Sequence, residues 1–136
     1  MNAKILTVVI YMLGATAIVT GLLAVIGGPA AEFGGKAAVA SVDSQFRYAS
    51  FFWLAAGVIL IWTALKPIER ALVTRTVLVI AALAGLTRII SIAVVGLPHP
   101  FFLVTMGLEL VVTPLIILWH SRVFPVRKGV RPTSDR

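Results

Sequence analysis

The sequence predicts an all-α membrane protein, an antiparallel bundle of four transmembrane helices with both termini cytoplasmic. Three observations lead there. The 136 residues are 60% hydrophobic and only 12% charged, against about 45–50% apolar and 25% charged for soluble domains. Two stretches, Ile5 to Ala31 and Tyr48 to Leu65, hold no charged residue, and about 20 apolar residues at 1.5 Å each cross a hydrocarbon core of about 30 Å. The basic residues, finally, gather on one side of that pattern.

The first span, about 5–27, follows Lys4 and carries Tyr11, Thr16 and Thr20. Its Gly14 and Gly21 form the small-residue stripe that lets membrane helices approach closely. The apolar run exceeds the roughly 7–15 residues of a signal-peptide core, so it reads as a retained span. The connection GGPAAEFGGKAAVASVDSQF is Gly- and Ala-rich and has room for a short interfacial turn. Ser41 or Asp43 is placed to cap the second span, about 44–65, which ends at Lys66-Pro67, where proline suits a break. Trp53 sits too deep for an interfacial belt, whereas Trp62 and Trp119 fit one. The third span, 71–95, contains Arg88, and the fourth, 101–121, contains Glu109. Gly96-Leu97-Pro98-His99-Pro100 joins them as a tight hairpin, making them antiparallel neighbours. Residues 1–121 thus form one transmembrane domain, and 122–136 a basic cytoplasmic tail.

Charge placement sets the expected orientation. Lys4, Lys66, Arg70, Arg75, Arg122, Arg127, Lys128, Arg131 and Arg136 are nine of the twelve basic residues, and all lie on one side. The positive-inside rule puts that side, with both termini, in the cytoplasm of an inner (plasma) membrane. The net charge of +7 therefore points to anionic headgroups, each basic residue adding about 1 kcal/mol of attraction. It does not point to nucleic acid, because no aromatic–basic platform accompanies it. Membrane lipids are the expected partners, with a larger membrane complex or a homo-oligomer as further ones.

Cysteine is absent, which removes disulfides, thiolate metal sites and every cysteine-based redox mechanism. No cofactor or metal is expected. His99 and His120 fall at opposite ends of the bundle, and no ligand spacing, phosphate loop or nucleophile elbow is present.

The chemistry-bearing residues are those charged within the spans. A charge near the bilayer centre costs roughly 2.5–3.5 kcal/mol on insertion scales, so it has a partner and often a purpose. Arg88 follows Arg75 by thirteen residues, and Glu109 precedes Arg122 by thirteen. Each lies about 20 Å above the inner anchor. Equal depth on hairpin-linked helices predicts a direct, buried Arg88–Glu109 ion pair. Arg47 sits near the outer edge of the hydrocarbon, able to reach inward toward Glu109 or to snorkel outward. Asp43 precedes it by one turn, in the favourable acid-then-base order. Ser50 and Ser91 lie one turn from Arg47 and Arg88, where they offer hydroxyls or back-bond to their own helices. Tyr48 and Phe51 offer an aromatic wall or a lipid-facing surface.

The segments FRYASFFWLAAGVIL, GLTRIISIAVVGLPHP and MGLELVVTPLIILW resemble a family of small four-helix bacterial membrane proteins known only as a domain of unknown function, itself similar to the DoxX-like group. The resemblance covers about residues 5–120. It rests on Arg47, on Arg88-Ile89-Ile90-Ser91 before Gly96-Leu97-Pro98, and on Glu109-Leu110. It implies an inner-membrane four-helix bundle and brings no activity with it.

Two readings of the charged residues follow. In the structural one, Asp43–Arg47 and Arg88–Glu109 are neutral pairs that fix helix register. In the functional one, Arg47, Arg88, Glu109, Asp43, Ser50 and Ser91 form a pocket for a carboxylate, phosphate or carbonyl. The expected function is that of a non-enzymatic membrane protein, either an accessory subunit or a binder of a lipid-like or anionic small molecule. A small oligomeric transporter with Glu109 as its proton-coupled site is the rival. An intramembrane enzyme with Glu109 as general acid and the arginines as electrophilic stabilisers comes third.

Overall fold

The computed structural model describes residues 2–125, so the expected basic tail lies outside the described residues from 126 onward. Four helices, α1 (Ala3–Gly27), α2 (Ala40–Ala64), α3 (Ala71–Val95) and α4 (Pro100–Val123), are each long and apolar enough to cross a membrane. A helix of this length spans about 37 Å. Neither Ser41 nor Asp43 caps α2. The helix starts earlier than the expected residue 44, with Val39 at its N-cap and no side-chain cap. Asp43 falls inside the first turn, where the helix dipole favours a carboxylate.

Glycine sets the fit of α1 on α2. A Cβ on Gly57 would stand 2.7 Å from the Gly14 carbonyl oxygen, and one on Gly21 would stand 2.8 Å from the Leu54 nitrogen. The two backbones touch, and larger side chains on either side would push them apart. The Trp53 indole donates to Thr20 Oγ1 at 3.0 Å, tying the same pair of helices. Contacts of α1 with α2 run in opposite order along the two chains, so the hairpin is antiparallel.

All four helices meet at the basic end. Leu6 and Ile10, Leu60 and Ala64, Ala71 and Leu78, and Ile116 with Phe124 form its core. Thr63 and Thr74 are buried there and bond to their own helical turns through Leu60 O and Arg70 O. His120 is also buried. It accepts from Arg75 Nε at 3.4 Å, while Arg75 Nη2 donates to the Phe124 carbonyl.

The loop end is different. Among the described residues, α2 buries nothing before Gly57, α3 nothing after Gly85 and α4 nothing before Thr113. Only α1 is buried along its whole length, through Leu6, Ile10, Gly14, Ala17, Gly21 and Ala24. The helices of the two hairpins are thus buried against one another at the basic end and little buried toward the loop end, where the α1–α2 connection reaches the α3–α4 turn through Phe33.

One element lay outside the sequence expectations. Within α4, Leu108–Val112 form a π turn. The Thr113 N–H and its Oγ1 both reach back five residues to the Leu108 carbonyl. Pro114 accounts for this: it brings no N–H for the Leu110 carbonyl, and its ring crowds that oxygen. Widening the preceding turn relieves both problems. Glu109 sits in the widened turn.

Candidate functional site

Arg88 and Glu109 meet as expected. Arg88 Nε donates to Oε2 at 2.7 Å and Nη2 to Oε1 at 2.9 Å, the two-pronged geometry that makes guanidinium–carboxylate pairs strong and directional. Gly85 makes room for it: a Cβ there would stand 2.9 Å from Glu109 Cβ and 3.2 Å from Oε2. The Phe102 ring covers the guanidinium, with its centroid 5.7 Å from Cζ.

The pair is less buried than the sequence suggested. The side chains keep 35% of their accessible surface at Arg88 and 18% at Glu109, at a level where α3 buries nothing beyond Gly85 and α4 nothing before Thr113. Among the described residues Arg88 Nη1 has no hydrogen-bond partner, and Arg88 lines a small cavity of about 230 Å³ with Ser91, Pro98 and Phe102. Pro98 and Phe102 also line a larger open cleft of about 630 Å³ under the α1–α2 connection, together with Pro29, Glu32, Phe33 and Phe46. The two spaces adjoin through those shared residues.

Arg47 belongs to a second, separate pair. Its Nε and Nη2 donate to Asp43 at 2.7 and 3.1 Å, and its Nη1 donates to the Val25 and Ile26 carbonyls, each at 2.7 Å. Those carbonyls are among the last four of α1, which lack partners within the helix and carry its negative end. Arg47 therefore fastens the end of α1 to the start of α2. It neither reaches Glu109 nor snorkels freely. Gly28, with φ +68, turns the chain beside it, where a side chain would collide with both Arg47 and Asp43. Asp43–Arg47 and Arg88–Glu109 are thus the two pairs of the structural reading, with no hydrogen bond between them among the described residues.

The remaining candidates divide similarly. Ser50 back-bonds to Phe46 O at 2.7 Å, whereas Ser91 lies beside Arg88 in the cavity. Tyr48 and Phe51, the candidates for a wall near Arg47 or for a lipid-facing surface, are exposed on α2, with Tyr48 edge-on to Phe52. The aromatic surface near the site comes instead from Phe33, His99, Phe101 and Phe102, with Phe33 stacked on His99 and 4.4 Å from Phe101 between centroids. Phe33 belongs to a loop and approaches the α3–α4 hairpin only in the fold, so no sequence period announces it. His99 also caps α4 by accepting from Phe101 N.

Four membrane-length helices with opposed charges paired between two of them define a multi-pass integral membrane protein. The family model described as Domain of unknown function (DUF4345) matches residues 5–120, and the chain belongs to that family. Comparison with curated proteins finds no match, and neither does comparison with solved structures.

Proposed function

We propose that this protein binds a lipid-like molecule bearing an anionic group, at Arg88, in the outer leaflet of a bacterial inner membrane. The termini lie in the cytoplasm, as the distribution of basic residues favours, and the loop end faces out. The observation that carries the reading is an intramembrane guanidinium with a donor to spare, lining a cavity formed by α3, the α3–α4 turn and α4. Two prongs of Arg88 hold Glu109, which makes the group affordable in hydrocarbon. Nη1 and the Ser91 hydroxyl remain to take a phosphate, carboxylate or carbonyl. Arg47 has no such role here, since the α1 carbonyls and Asp43 occupy it. Native mass spectrometry of the purified protein, with identification of the retained lipid, tests the proposal. A specific adduct is expected on the wild type, reduced at least ~10-fold in Arg88→Gln and several-fold in Ser91→Ala. Adducts insensitive to both changes would end it.

The π turn favours a second reading. Such turns are frequent at functional sites, and this one holds Glu109, as the oligomeric transporter with a proton-carrying carboxylate would require. Proteoliposomes that acidify under a substrate gradient, with flux lost in Glu109→Gln, would favour transport over binding alone.

A further inference from the structure

The two adjoining spaces carry charges of opposite sign, Glu32 in the larger and Arg88 in the smaller. Glu32 lines the larger space, half-buried in the α1–α2 connection, and that space shares Pro98 and Phe102 with the cavity of Arg88. Arg88 and Glu109 cancel, and so do Arg47 and Asp43. Lys36 in the same connection balances Glu32 in the overall count, but it does not line the cleft: among the described lining residues Glu32 is the one carboxylate, and neither lysine nor arginine accompanies it. A purely anionic ligand placed on Arg88 would meet this carboxylate at the mouth of its own site. Around Glu32 the walls are aromatic, from Phe33, Phe46 and Phe102, and aromatic faces attract ammonium groups.

Depth orders these features. Glu32 is in the loop, whereas Arg88 lies seven residues inside the end of α3 at Val95, about 10 Å deeper. Below Arg88, Leu83 and Leu86 of α3 are exposed apolar side chains. From water inward the site thus offers an anion within an aromatic surround, then a cation with a hydroxyl, then an exposed apolar flank of α3. Size narrows the choice further. About 630 Å³ falls in the range of small-molecule sites, about 300–1,000 Å³, enough for a headgroup and too small to enclose two acyl chains.

Resting on the binding role proposed for Arg88, we infer that the ligand is a zwitterionic amphiphile. Its phosphate lies on Arg88 Nη1 and Ser91, its ammonium group faces Glu32, and its chains run along the exposed apolar flank of α3. A phosphoamine headgroup supplies this chemistry whether it comes from a membrane lipid or from a soluble phosphoamine.

The experiment is lipid competition on the intact chain. Wild type, Glu32→Gln and Phe33→Ala are each equilibrated with equimolar phosphatidylethanolamine and phosphatidylglycerol of matched chains, and the retained lipid is read by native mass spectrometry. Wild type is expected to retain the zwitterion about 10-fold over the anion. Glu32→Gln should bring that ratio close to one by admitting the anionic lipid, and Phe33→Ala should weaken the zwitterion selectively. Equal retention by wild type, or a ratio unmoved by Glu32→Gln, overturns the headgroup assignment while leaving lipid binding at Arg88 standing. Retention of neither lipid removes both. Displacement of the bound lipid by free O-phosphoethanolamine would support the headgroup chemistry with a soluble source. Failure to displace it, with the 10-fold preference intact, would support a lipid source.

Discussion

At the scale of single residues, Arg88 and Glu109 stabilise one another mainly by making each other tolerable. Removing one partner of a buried pair costs about 3–5 kcal/mol, because a lone charge is left behind, while replacing both by apolar groups is often neutral. Partial exposure of Arg88 toward the cleft puts this pair at the low end. Glu109→Gln should therefore destabilise the protein by about 3 kcal/mol. Arg88→Met combined with Glu109→Leu should recover most of that loss, as measured by unfolding in mixed detergent micelles. A double variant as unstable as the worse single one would mean that the pair also determines the packing around it. This pair was legible in the sequence because depth can be counted from Arg75 and Arg122, and a short hairpin fixes who faces whom. The role of Arg47 was not. Its partners are backbone carbonyls of Val25 and Ile26, and a helix terminus offers no side-chain signature to match with a distant arginine.

At the scale of the element, close approach and widened turns shape the helices. Gly14 and Gly21 were readable as a small-residue stripe, but their counterpart Gly57 emerges only when the register of α2 is known. Gly57 is the tightest point, with the Gly14 carbonyl oxygen 2.7 Å and the Ile18 nitrogen 2.8 Å from where a Cβ would be. Backbone atoms cannot swing aside as side chains do. Gly57→Leu should therefore separate α1 from α2 and cost at least the 1–3 kcal/mol typical of overpacking. Gly107→Ala meets nothing within 4 Å and should lose no more than a few tenths, serving as the control in the same unfolding assay. Equal effects of the two would refute the contact. The π turn had a visible cause in Pro114, yet a proline in a membrane helix can be accommodated by a kink, by neighbouring hydroxyls or by a widened turn. The choice made here depends on Thr113 supplying a second donor to Leu108 O and on Gly85 leaving Glu109 somewhere to go.

At the scale of the whole molecule, the bundle is asymmetric along its axis: a four-helix core at one end, and at the other sparsely buried helices bridged by Phe33 over an open cleft. Hydropathy located the four spans, since length and composition suffice for that, but it could not foretell the opening, because lipid-facing and partner-facing leucines look alike in a membrane sequence. Orientation decides which leaflet the opening serves. The basic residues Lys4, Lys66, Arg70, Arg75 and Arg122 cluster at the closed end, which argues for a cytoplasmic position. Because the chain has no cysteine, single cysteines report position without background. Ala37→Cys, in the α1–α2 connection, should react with a membrane-impermeant maleimide in intact spheroplasts. Glu69→Cys, between α2 and α3, should react only after lysis. The reverse pattern would turn the cleft toward the cytoplasmic leaflet, and Arg88 would then have to draw its ligand from the other pool of lipid.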